Sequence, residues 1–259
     1  MKDKVILCIF GVIPRSVRYI YKRLEQMVIN PLKKEFDVYI YCFNMNIEDT
    51  VIDGVRIDQE DCKIIPFDCF EEEKQKDIDK EHLIFSEKHD CTINNRKYPV
   101  LMVKNQLRVM YSEMRCSIFM AKNATKYKYA IMWSSDYYPV VRLDVRDLKK
   151  KDGKIYTSDQ YDCGGYTDGF YMGDIKTMIK ISRRYFDLGK ILPTKLNYES
   201  IFKKAFEDGK VKRGVTNMFF IKVRANLDNV FYGKYSSDDR VQRDRKYLEE
   251  LRKEMFKKD

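Results

Sequence analysis

The stretch MWSSDYYPVV (residues 132–141) sets one acidic side chain, Asp136, at the end of an apolar run. A carboxylate on such a rigid support suits a divalent cation that neutralises a phosphate, a task that takes one or two carboxylates plus phosphate oxygens and water. Further along, GGYTDGFYMGD puts Asp168 behind the pliable pair Gly164 and Gly165. There a carboxylate serves as general base towards a hydroxyl. Glu199, in LNYESIF, adds a second acid at the start of a helical pattern. Arg15 and Arg18 follow Gly11 by about one turn and open the first helical pattern. Guanidinium groups, helix N-termini and the close backbone approach that glycine permits all favour phosphate. Lys104 and Arg108, at i and i+4 near the start of the long helical pattern, are spaced so that both could face a diphosphate.

Every one of these residues also has a plain structural reading. Asp136 caps a turn before Pro139, and Asp168 a turn before Gly169. Glu199 complements a helix dipole, and the basic residues lie on solvated faces. Spacing alone leaves both readings open.

The elements that must position these groups alternate between strand and helix. KVILCIFG reads as a strand buried on both faces in a parallel sheet. Val17, Ile20, Leu24, Met27 and Val28 give a helix that Pro31 is expected to end. DVYIYCFN is the second strand and CKIIPFDCF a short third; the charged stretch from Glu71 to Asn95 reads as a surface helix plus an excursion. Val103, Leu107, Met110, Met114, Ile118 and Ala121 stripe a long helix from Val100 to Asn123. YKYAIMW follows and delivers Asp136 at its carboxyl end, the place where open α/β sheets gather ligands. Strands KIYTS, GFYMG and VTNMFFIKVR, helices from Asp174 to about Phe186 and over NYESIFKKAFEDG, and a basic amphipathic helix from Asp238 to Lys257 complete the order.

Composition sets the outer limits. A chain of 259 residues buries a substantial single core. We expect one α/β domain over residues 1–235, with the basic helix of residues 236–259 packed on it or extending from it. The formal charge of +10 comes from 50 Lys+Arg against 40 Asp+Glu spread along the chain. It suits nucleic acid, an anionic nucleotide or a soluble protein alike. Basic groups do not cluster with the 19 Tyr and 15 Phe on one face, which argues against nucleic acid. Seven cysteines, with no C-x-x-C pair, and only His82 and His89 give little material for a zinc site or a Ser-His triad. Cys8, Cys42 and Cys116 lie within apolar patterns, as small hydrophobes do. The apolar run at the N-terminus is too short to span a membrane, and a cytoplasmic protein is expected.

Taken in order, CIFGVIPRSVR, DVYIYCFN, KYKYAIMWSSDYYP, GGYTDGFYMGD and NYESIFKKAFEDGKV resemble the GT-A-fold glycosyltransferases, and within them small sugar-nucleotide-dependent enzymes of bacteria, algae and large DNA viruses. The resemblance spans roughly residues 4–224. It implies a Rossmann-like, mixed but mainly parallel sheet flanked by helices. It also implies transfer of a sugar from a nucleotide-diphosphate donor, a UDP-sugar first, to a hydroxyl of a glycan or glycoprotein acceptor in the cytosol, that of a host for a viral enzyme. By the same resemblance Phe10, Gly11, Arg15, Lys104, Arg108, Ser135 and Asp136 bind the donor, Asp136 holds Mn²⁺ or Mg²⁺, and Asp168 and Glu199 are catalytic. The chain departs from the pattern in three places. Ser134 stands where the family often has Arg, no second Asp completes a D-x-D, and Gly169 replaces the Arg after Asp168, which implies a wider pocket. A nucleic-acid-binding or nucleic-acid-modifying protein, or an inactive GT-A scaffold used for binding, is the alternative.

Overall fold

A computed structural model describes residues 2–82, 92–93, 96–97, 100–150, 152–160, 165–187, 198–230 and 236–255. The strands are β1 (Lys4–Gly11), β2 (Asp37–Asn46), β3 (Cys69–Lys74), β4 (Tyr129–Ser134), β5 (Tyr137–Pro139), β6 (Lys154–Thr157), β7 (Phe170–Asp174), β8 (Lys212–Val215), β9 (Phe220–Val223) and β10 (Asn229–Val230). A small hairpin, Val51–Ile52 with Val55–Arg56, follows β2. The main helices are α1 (Val17–Leu24), α2 (Asn30–Glu35), α3 (Gln75–His82), α4 (Val100–Lys122), α5 (Arg146–Lys149), α6 (Ile175–Ser182), α7 (Tyr198–Asp208) and α8 (Asp239–Met255).

Seven strands form the central sheet in the order β8-β6-β7-β4-β1-β2-β3. β3, β2, β1 and β4 all run parallel, and β7 runs antiparallel to both β4 and β6. This is an α/β chain with a mostly parallel sheet flanked by helices, compatible with a Rossmann-like fold. Its core divides by strand alternation. On β1, Val5, Leu7 and Ile9 point to the side packed by Val17, Ile20 and Leu24 of α1. Ile6, Cys8 and Phe10 point to the other side, against Met114 and Met120 of α4, Met178 of α6 and Phe202 of α7. Cys8 and Cys116 fill this second layer and Cys42 the first, as small apolar groups.

Pro31 does not end the first helix. Five residues, Glu25–Ile29, wind as a π segment and the chain stays helical into α2; the Met27 carbonyl, four residues before Pro31, accepts the Leu143 N–H at 2.8 Å instead. The third strand begins at Cys69, later than expected, because Gln59–Ile64 forms a 3₁₀ helix and the strand is the charged run CFEEEK. Charge is at home there, since β3 is the edge strand and acidic side chains keep an edge from pairing further. On α4, Leu107, Met110 and Met114 are buried as the stripe requires, but Ala121 is exposed and Met120 takes the inward place. Two strand assignments also change. Lys212–Val215 is an extra strand at the far edge, and the VTNMFFIKVR strand shortens to β9, which pairs with β5 and β10 in a separate sheet of three strands.

The basic C-terminal helix packs on the domain. Val241 and Leu248 of α8 enter the core, Asp244 takes Arg23 of α1 at 3.0 Å, and Arg252 pairs with Asp228. Among the described residues no helix is long and apolar enough to cross a membrane.

Candidate functional site at the carboxyl end of the parallel strands

The order β3-β2-β1-β4 reverses direction between β1 and β4, which is the switch point where the loops after adjacent strands separate and leave a crevice. Gly11 and Asp136 meet there. Ser135 N–H donates to the Phe10 carbonyl at 2.9 Å, so the loop after β4 is tied across the end of β1. Gly11 has φ +119°, and a Cβ on it would lie 3.0 Å from Ser135 Oγ. The backbone conformation therefore favours glycine, and a Cβ would also press on the Ser135 hydroxyl. Phe10 buries its ring in the core and reaches this end only through its carbonyl.

Asp136 lies in the turn between β4 and β5, with 8% of its surface exposed. Ser134 Oγ donates to its Oδ1 at 2.7 Å, while Lys222 Nζ stands 3.6 Å and Arg224 4.0 Å from Oδ2. Burial pushes the carboxyl towards its neutral form. Lys222, Arg15, the Ser134 hydroxyl and Arg224 outweigh it and hold Asp136 below the ordinary range for an aspartate. Arg15 is itself braced, its Nε and Nη2 donating to Asp53 at 2.9–3.1 Å, and Asp53 also accepts the Ala225 N–H at 3.2 Å. Asp53 sits at φ +52° beside Gly54 at φ +76°, the left-handed pair of a tight Asp-Gly hairpin turn. Backbone bonds fix the cations too. Val223 N–H donates to the Asp136 carbonyl at 2.8 Å, and the buried Gln160 amide bonds both backbone groups of Phe220 at 2.7 and 2.9 Å.

Asp168 reaches the same end of the sheet because β7 is antiparallel. Phe170 pairs with Trp133, and Ser134 N–H donates to the Gly169 carbonyl at 2.7 Å, so the start of β7 lies beside the end of β4. Tyr137 spans the gap, its ring stacked on Phe220 at 3.9 Å and its hydroxyl donating to the Asp168 carbonyl at 3.2 Å. The ring fills the space over Gly169 (φ +72°), where a Cβ would lie 2.6 Å from it. The expected widening of the pocket at Gly169 is thus taken up by Tyr137. Removal from water, then Glu199 and Glu113, raise the Asp168 carboxyl well above its usual value, with Lys222 and Arg184 opposing. Glu199 is also raised, chiefly by burial, and Lys222 again opposes.

Glu199 is brought close by backbone contact. Tyr166 N–H donates to the Glu199 carbonyl at 3.0 Å, and Gly165 packs so tightly that a Cβ would fall 2.0 Å from the carbonyl carbon of Glu199 and 2.4 Å from Ser200 N. Gly165→Ala is expected to force the loop and α7 apart and to lower stability by about 1–3 kcal/mol, the usual cost of overpacking. A urea denaturation midpoint equal to that of the parent would show that the contact is not so close.

The structure therefore gathers Gly11, Arg15, Ser135, Asp136, Asp168 and Glu199 at one end. No known family model matches the sequence, and no curated protein matches it. The site has to be read from its own chemistry.

Arg108 is directed elsewhere. It makes a two-pronged pair with Asp79 of α3, at 2.9 and 2.5 Å, and Lys104 precedes it by one turn on α4 without pairing to any carboxylate of the crevice. A surface hollow lined by Tyr129, Leu148 and Gly173 lies at the opposite end of the same strands, and none of the candidate residues lines it.

The fit of a divalent ion is poor. Among the described residues no group of three or more His, Cys, Asp or Glu is placed to hold a metal. Asp136 Oδ1 already accepts a hydroxyl, and Oδ2 faces two cations, which would repel a third. Sequence reasoning missed Lys222 and Arg224, the cations that dominate this end. Their signal was the alternation I-K-V-R, which sets both on one face of a strand, but nothing in the sequence says that this strand lies against Tyr137.

Proposed function

We propose that the protein is a glycosyltransferase that moves a sugar from a nucleotide-diphosphate donor, UDP-linked first, to a hydroxyl of a glycan or glycoprotein acceptor. One observation carries the reading. Lys222 faces Asp136 at 3.6 Å and pairs with Tyr137, whose hydroxyl bonds the Asp168 carbonyl, so a cation and the raised acids Asp168 and Glu199 gather at one end of the sheet. Group transfer from a diphosphate needs both. Charge that develops on the leaving oxygen must be stabilised, and the attacking hydroxyl must lose its proton.

In this reading Arg15, Lys222 and Arg224 receive the diphosphate, and the backbone at Gly11 and Ser135 approaches the nucleotide. Asp168 takes the acceptor proton as the acceptor oxygen bonds to the anomeric carbon. The bond from that carbon to the diphosphate oxygen breaks, and the electron pair leaves with the nucleoside diphosphate. Glu199 supports Asp168 by raising its affinity for the proton.

Calorimetric titration with a panel of UDP- and GDP-sugars tests the proposal. At least one donor is expected to bind and to be consumed when glycan acceptors are added. No heat from any member of the panel would sink it.

A further inference from the structure

We infer that the diphosphate is held by Lys222, Arg224 and Arg15 without a divalent metal ion, and that Asp136 is the anchor for these cations, not a metal ligand. The inference rests on the donor reading above and specifies how its phosphates are bound.

Of the four oxygens of Asp136 and Asp53, three already accept hydrogen bonds and the fourth, Asp136 Oδ2, looks onto two cations. Asp136 Oδ1 accepts Ser134 Oγ, and Oδ2 faces Lys222 and Arg224. Asp53 Oδ1 accepts Arg15 Nη2, and its Oδ2 accepts Arg15 Nε and Nη2 and the Ala225 N–H. Magnesium and manganese require hard oxygen ligands in a near-octahedral set, and a dication here would stand among positive side chains. Lys222 and Arg224, by contrast, are only partly spent, while Arg15 is held in place by Asp53. Lys222 and Arg224 approach Asp136 at 3.6 and 4.0 Å, near the outer limit for an ion pair, and their side chains are 36% and 33% exposed. An ammonium carries three N–H donors and a guanidinium five, so most of them are left to face a ligand. Their backbones do not drift, because β9 is fixed to the Asp136 carbonyl and to Gln160. The crevice is thus prepared for an anion with several oxygens, the part that a metal ion plays where paired carboxylates line a site.

The test is calorimetric titration of the full chain with UDP and with GDP, once in EDTA and once in Mn²⁺. The nucleotide that binds is expected to do so in EDTA with a Kd within about threefold of its value in Mn²⁺. Lys222→Gln is expected to weaken binding in EDTA by about tenfold or more, the effect of losing one charge-assisted hydrogen bond, while Lys222→Arg retains most of it. Arg224→Gln gives a second reading at a more peripheral side chain, and a melting curve for each variant separates lost binding from lost fold. Binding that requires Mn²⁺ would overturn the inference and leave the donor reading standing. Absence of heat from both nucleotides under both conditions would overturn the donor reading, and this inference with it.

Discussion

Asp168→Asn is expected to slow sugar transfer by about 10²–10⁴-fold, the usual contribution of a general base, while donor affinity stays near that of the parent. The split follows from position. Asp168 stands at the start of β7 under the Tyr137 hydroxyl, whereas the cations proposed to receive the diphosphate lie on or just after β9 and after β1. The same variant is expected to be more stable than the parent at neutral pH. Burial and the neighbouring acids raise the Asp168 carboxyl well above its value in the unfolded chain, so its contribution to stability is fully present below about pH 4 and is lost as pH rises through the folded pKa. Asparagine has no proton to lose. The melting-temperature gain of Asp168→Asn should therefore grow from about pH 4 to pH 7, and a gain that is flat with pH would show that Asp168 does not carry this strain. Transfer at the parent rate would remove it as the base.

The second large effect concerns stability. Arg184 and Glu113 form a salt bridge that is 1% and 0% exposed, and the Tyr198 hydroxyl joins it, donating to Glu113 at 2.7 Å and accepting from Arg184 at 2.7 Å. Arg184 also lies over the Phe202 ring at 4.5 Å. Arg184→Met leaves a buried carboxylate without its cation, and such a loss costs about 3–5 kcal/mol. A fall in Tm on the order of 10 °C is expected. The deficit should be smallest in acid, where Glu113 is neutral in both proteins, and should widen as pH rises through the folded pKa of the parent's Glu113, which burial already raises against the pull of Arg184. Glu113→Gln combined with Arg184→Met is expected to recover part of the loss, because no charge is then stranded. A single variant as stable as the parent would show that the pair contributes nothing net. Tyr198 is the residue before Glu199, so this network also fixes the start of the helix that presents the second acid.

What was legible in the sequence was what depends on local pattern. Continuous apolar runs marked β1 and β2 as doubly buried, and the placement of Asp136 just after β4 followed from the same logic. The misread elements are those whose character is set by neighbours far away in the chain. CFEEEK is a strand because it lies at an edge beside β2, not because its residues favour a sheet. Pro31 is tolerated because a π segment shifts the register ahead of it. Arg108 points to Asp79, a pairing fixed by how α3 packs on α4, and no spacing within α4 reveals it. The candidate site divides in the same way. Asp136, Asp168 and Glu199 sit at element ends, where type and position are both visible. Lys222 sits in a short strand whose partner is β5, with Arg224 just past its end, and that pairing is a property of the folded chain alone.

The separation between Asp136 and its cations has a consequence for synthesis. The central strands β1, β2 and β4 are all made before residue 135, and they pair with one another. The groups that neutralise Asp136 from β9 emerge much later, and contacts so distant in sequence form late. A chain halted after β7 would contain Asp136, Ser134 and Arg15 but neither Lys222 nor Arg224. In the donor reading, two of the three cations proposed for the diphosphate arrive only with β9 and the residue after it, so full nucleotide affinity is expected only once the small sheet has docked.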